Sequence, residues 1–146
     1  MYTGLLHTHN MFRWLVLIVM VMAVGFALSG WFGKKDWKKL DNITGLLLVI
    51  FMDVQFLVGI ILYAFVSPIT KSAFADFGTA MQNPVLRFYA VEHITMMIIA
   101  LALVHIGRSK SKKAATPEKK HRSAAIFYIL GLILILAAIP WDRALM

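Results

Sequence analysis

Four long apolar runs constrain this chain more than any other feature. They cover about 11–32, 43–66, 85–106 and 124–139. A bilayer core takes ~20 residues of helix to cross, within a range of roughly 17–25. The first three runs meet that length, and the helix of the first can begin earlier, near Thr3. The fourth is shorter and stops at Pro140. Ser123 is its expected N-cap and Trp141 its interfacial anchor. The expected fold is therefore all-α: a single polytopic membrane domain over 1–146, packed as an up-down-up-down four-helix bundle because the connections are short. Hydrophobic residues make up 60% of the chain, against about 45–50% in soluble domains. Gly25, Gly30, Gly45, Gly59 and Gly131 are small positions where helices can approach closely.

Charge sets the expected orientation. The formal net charge is +8. Loop 33–42 holds Lys34, Lys35, Lys38 and Lys39, and loop 107–122 holds seven more, so the two carry 11 of the 15 basic residues. Basic loops mark the cytoplasmic face and attract anionic lipid headgroups. Both termini and loop 67–83 then lie outside. The same positions argue against nucleic acid as a partner, because they form no folded basic surface. Met1–Asn10 has neither Lys nor Arg, so no cleavable signal is expected. The chain has no cysteine, which excludes disulfides, iron–sulfur clusters, thiolate ligation and covalent haem attachment.

Loop 67–83 reads either as a short amphipathic segment at the outer boundary, carrying Phe74 and Phe77, or as an irregular connector. Segment 109–120, rich in Ser, Lys and Ala, is expected to be mobile at its centre. Pro84 suits a first helical turn.

Ionisable residues inside a membrane cost about 2.5–3.5 kcal/mol each on insertion scales. The polar residues within the spans are therefore the informative ones: His9, Arg13, Asp53, Gln55, Arg87, Glu92, His93 and His105. The fourth span has only Tyr128 and reads as a packing helix. A rise of ~1.5 Å per residue puts His93 about 13 Å from the outer end of its helix. It puts Asp53 about 15 Å from the inner end of its own, so both fall near the midplane. His9 lies about 9 Å below its outer end if its helix starts near Thr3. His9 and His93 come from helices that run the same way and are diagonal in an up-down bundle. Such a pair can hold a haem iron from both sides, and Arg13 or Arg87 can pair with its propionates. His7 and His105 read as interfacial residues, and His121 as a residue of a polar loop. Asp53 reads equally as a buried carboxyl, held neutral or hydrogen-bonded to His93 or to a neighbour's Gln55. Asp53, Gln55 and Glu92 are also candidates for a buried proton relay. Met96 and Met97 are core filler or alternative axial ligands. No catalytic residue is assigned.

Several stretches carry a resemblance: Leu6-His7-Thr8-His9-Asn10-Met11-Phe12-Arg13-Trp14, Lys39-Leu40-Asp41-Asn42, Gln55 through Tyr63, Asn83 through Phe88 with Val91-Glu92-His93, and Ile139-Pro140-Trp141. Together they resemble a family of small bacterial inner-membrane proteins labelled cytochrome b-like. The chain is also faintly similar to one four-helix half of haem A synthase. The resemblance implies a b-type haem or a quinone-linked redox role, carried by His9 and His93. Asp53 stands where a further histidine would be useful, so one haem is expected. The expected function is a single-haem electron-transfer subunit of the inner membrane. The alternatives are an accessory subunit packing against a larger membrane complex, and a proton path through Asp53, Glu92 and His93.

Overall fold

The computed structural model describes residues 1–143, and its elements are helical throughout, with no strand among the described residues. Four helices are long and apolar enough to cross a membrane: α1 (Tyr2–Phe32), α2 (Lys39–Val66), α5 (Pro84–Lys113) and α6 (Pro117–Ala138). Two short helices, α3 (Pro68–Ala75) and α4 (Phe77–Ala80), lie between α2 and α5.

Local sequence explains the helix ends. Gly33 N–H donates to Ser29 O and Lys35 N–H to Gly30 O, each at 3.0 Å. This closes α1 through Lys34, whose φ of 50° is left-handed. Asp41 accepts the Lys38 N–H at 2.8 Å and starts α2. Asn83 accepts the N–H groups of Val85 and Leu86, and Pro84 takes the first position of α5, as its fixed φ favours. Ser67 and Asp76 cap α3 and α4. Thr79 donates both its N–H and its hydroxyl to Asp76, which holds that carboxyl below the usual aspartate range.

The connector 67–83 is thus largely helical rather than irregular. Thr70, Ala73 and Ala80 are buried on its underside, while Phe74 and Phe77 stack on one another at 5.9 Å and stay exposed.

The connection after α5 differs from the sequence expectation. Only 114–116 lie outside helix there. Thr116 caps α6 at the Lys119 N–H, and Pro117 and Glu118 follow in the first turn. Ser123 is therefore inside the helix and caps nothing. Lys120 Nζ donates to the terminal carbonyls Ser111 O and Lys112 O of α5, at 3.1 and 2.8 Å. These bonds satisfy acceptors that a helix end leaves open, which is why both helices run on past the apolar stretch.

α1 packs on α2 and α6, and α5 packs on α6 and α2, so α1 and α5 are the diagonal pair. The contacts run in opposite directions along neighbours. Gly30 of α1 meets His121 while Met20 lies by Gly131 of α6, and His93 of α5 reaches Ala138 while Gly107 meets Phe127. The core between them is Met20, Leu48, Val104 and Ala125 with their neighbours. Gly30, Gly45, Gly59 and Gly131 lie at close approaches, whereas a Cβ added at Gly25 would have nothing within 4 Å. Gly107 carries no mark in the sequence, yet a Cβ there would come within 2.6 Å of Phe127 Cβ. Neither backbone can yield there without moving a helix. We expect Gly107→Ala to destabilise the bundle by about 1–3 kcal/mol, read by reversible unfolding in bicelles. Unchanged stability would show that α5 and α6 separate easily.

Candidate functional site

At the end of the bundle where α1 starts, His9 and His93 face one another across the diagonal. Their ring centroids are 6.3 Å apart and their planes meet at 72°. The two rings border a cavity of about 400 Å³, also lined by Arg13, Gln55, Tyr63 and Tyr89.

Two π-helical turns shape this end. Leu62–Val66 ends α2, and Phe88–Glu92 precedes His93 in α5. A π turn takes in an extra residue and rotates the remainder of the helix by roughly 100° about its axis. It also disturbs the regular carbonyl pairing. The carbonyl of Ala90 is met by the Tyr63 hydroxyl at 2.7 Å, so the two π turns are joined to each other. Thr70 of α3 donates to Tyr63 O at 2.8 Å and fixes the same corner.

His93 is oriented by α6. Its Nδ1 lies 2.7 Å from the Ala138 carbonyl, which can only accept. Nδ1 therefore carries a proton, and in the neutral ring Nε2 keeps its lone pair. Ala138 is the last residue of α6, where helix carbonyls lack internal donors. Trp141 Nε1 donates to Leu136 O at 3.0 Å and meets a second of them. The fourth span is thus more than a packing helix: its end orients His93.

His9 is oriented differently. Gln55 Nε2 donates to the His9 carbonyl at 2.8 Å and ties α2 to α1 at this level. Gly59 leaves the ring its space, since a Cβ there would stand 3.1 Å from His9 Cε1. His9 Nδ1 and Gln55 Oε1 are both shut from solvent without a hydrogen-bond partner among the described residues. Buried polar atoms left unmet in a cavity are a ligand-site signature, because each costs free energy until something bonds to it. Arg13 is buried one turn further in, beside the Trp14 ring at 5.4 Å.

Other residues singled out from the sequence lie elsewhere. Arg87 donates to Glu92 Oε1 at 2.8 Å and to Met81 O at 3.1 Å, on a half-exposed surface outside the cavity lining. Within the chain, Asp53 pairs with His105 at 2.7 Å rather than with His93. Asp53, Gln55 and Glu92 thus bond to three different partners, and no single relay joins them among the described residues. Met97 lines the cavity, Met96 does not, and His7 stands in its lining near the chain start. His121 is buried in α6 rather than placed in a loop. Its ring lies 4.9 Å from Trp37, and its Nε2 is 3.2 Å from Asp36 O. Tyr63, Tyr89 and the Ala138 carbonyl were not legible as site groups. The first two depend on π turns, and the third on where α6 stops.

Removing the Tyr63 hydroxyl leaves the Ala90 carbonyl without that donor. Tyr63→Phe should cost about 1–3 kcal/mol and speed amide exchange in 88–93. Unchanged exchange there would mean that the π turn does not need this bond. Comparison with protein-family models, curated proteins and solved structures finds no match to this chain.

Proposed function

We propose that this chain is a membrane redox protein that binds one b-type haem, which His93 and His9 would hold. The observation that carries the reading is the histidine pair. Two imidazoles from diagonal helices that border one cavity would be able to hold a single metal between them. Their ring centroids are 6.3 Å apart. His93 also has the arrangement typical of a metal-bound imidazole, with one ring nitrogen donating to a carbonyl and the other free to ligate. His9 has a buried nitrogen without a partner among the described residues. The cavity volume is of the order of drug-sized ligand pockets, about 300–1,000 Å³. The resemblance to cytochrome b-like membrane proteins points the same way, and the absence of cysteine favours a non-covalently held group.

When bound, the haem supplies one-electron transfer. The chain's residues do the rest. The Ala138 carbonyl orients His93 and makes it a stronger donor. Gln55 and Gly59 place His9. Arg13, the guanidinium in the cavity lining, offers a bidentate partner for a carboxylate.

The reading places the protein in the bacterial inner membrane with its basic end in the cytoplasm. At that end, Lys34, Lys35, Lys38, Lys110, Lys112 and Lys113 are available to anionic headgroups.

Two measurements test this reading. In a reduced-minus-oxidised difference spectrum of the purified protein, wild type should show a b-type band, and His93→Ala and His9→Ala should each lose it. A wild-type protein folded in native membranes without such a band would end the haem reading. For orientation, a reporter fused after Met146 should be active only outside the cytoplasm, and one inserted at 114–116 only inside. The reverse pattern would overturn the charge argument.

A further inference from the structure

A second polar pair faces the other way. Asp53 stands fourteen residues into α2, and His105 eight residues before the end of α5. His105 Nε2 meets Asp53 Oδ1 at 2.7 Å, and the two side chains are 47% and 44% exposed. The cavity stops short of them: Met52 and Leu101 line it, Asp53 and His105 do not. In a chain that spans a membrane, this pair faces outward from the bundle, within the lengths of α2 and α5.

The pair sits at the centre of a continuous face. Along α2, Leu46, Ile50, Leu57 and Ile61 are exposed at three- and four-residue steps from Asp53. Along α5, Ile98, Ala102 and Ser109 are exposed in the same register as His105. Ala102 and Ser109 are small enough to let another helix approach closely.

The polar centre of this face is half satisfied. The bond within the pair uses His105 Nε2 and Asp53 Oδ1, so it engages neither Oδ2 nor Nδ1. Lipid tails offer no partner to either atom, whereas a packed protein helix can. In its imidazolium–carboxylate form the pair presents one donor, Nδ1–H, and one acceptor, Oδ2. A two-fold rotation brings the same donor opposite the same acceptor, twice. A small ligand would need a cavity here, and an unrelated helix would need a matched donor and acceptor of its own. A second copy of this chain has both by symmetry.

We therefore propose that the protein dimerises through the α2–α5 face about a two-fold axis along the membrane normal, with His105 Nδ1–H of each copy donating to Asp53 Oδ2 of the other. This goes beyond the haem reading and does not depend on it.

The absence of cysteine makes a clean test possible. Single variants Ile50→Cys and Leu57→Cys, on the proposed face, are oxidised in membrane vesicles beside Ile18→Cys, on the exposed face of α1. The first two should form disulfide-linked dimers of the chain at least about tenfold faster than the third. A double variant, Asp53→Leu with His105→Leu, should keep its helix content. In lipid nanodiscs its dimer should weaken by about tenfold or more, the effect expected of two interhelical hydrogen bonds. Equal cross-linking at all three positions, a monomeric mass for the wild type in lipid, an undiminished dimer in the double variant, or adducts formed only with other proteins would each overturn the proposal. If the double variant fails to fold, the cysteine comparison on the otherwise unaltered chain decides.

Discussion

Hydrocarbon has no water to offer a polar group, and that constraint orders the whole molecule. Polar side chains within the spans have been drawn toward partners. Arg108, buried in α5, donates to Asn42 at 2.9 Å. Gln55 donates to the His9 carbonyl, Tyr63 to the Ala90 carbonyl, and His93 to the Ala138 carbonyl. These bonds join different helices, so they also set the register between them. In an apolar bundle, where many sliding arrangements bury similar area, such bonds single out one. The atoms left over are then informative. Among the described residues, His9 Nδ1 and Gln55 Oε1 are unmet beside one cavity, Arg108 Nε and His121 Nδ1 are unmet away from it, and the Asp53–His105 pair faces outward from the bundle.

The two ends of α6 show how one helix serves two purposes. Its final carbonyls, at Leu136 and Ala138, are met by Trp141 and His93. At the start, Lys120 reaches back to the last carbonyls of α5, and His121 packs against Gly30 and Trp37. Helix ends carry open donors and acceptors whatever the sequence between them. This bundle uses one end to clamp its basic side and the other to aim a histidine.

The π turns account for much of the site that the sequence does not reveal. His93 is recognisable from its depth and its cost. Arg87 reads as a cation for the same site, because straight helical geometry allows it. The extra residue in Phe88–Glu92 changes the phase between Arg87 and His93, and Arg87 pairs with Glu92 on the outside. Tyr89 lines the cavity from within the same turn. Nothing in the local residues marks a π turn, because it is stabilised by a bond from Tyr63, 27 positions away.

The four apolar runs alone determined the all-helical class and the number of spans, since hydrocarbon admits few other ways to satisfy a backbone. The insertion cost of single polar residues likewise picked out eight positions, His9, Arg13, Asp53, Gln55, Arg87, Glu92, His93 and His105, without saying which of them meet. Tertiary structure decided the rest: that Asp53 meets His105 rather than His93, that Arg87 leaves the site, that His121 is buried, and that α6 supplies the carbonyl for His93. Those outcomes depend on the phase and register between helices. Hydropathy is silent on both, because it records how much of a helix is apolar and not which residue of a neighbour each side chain meets.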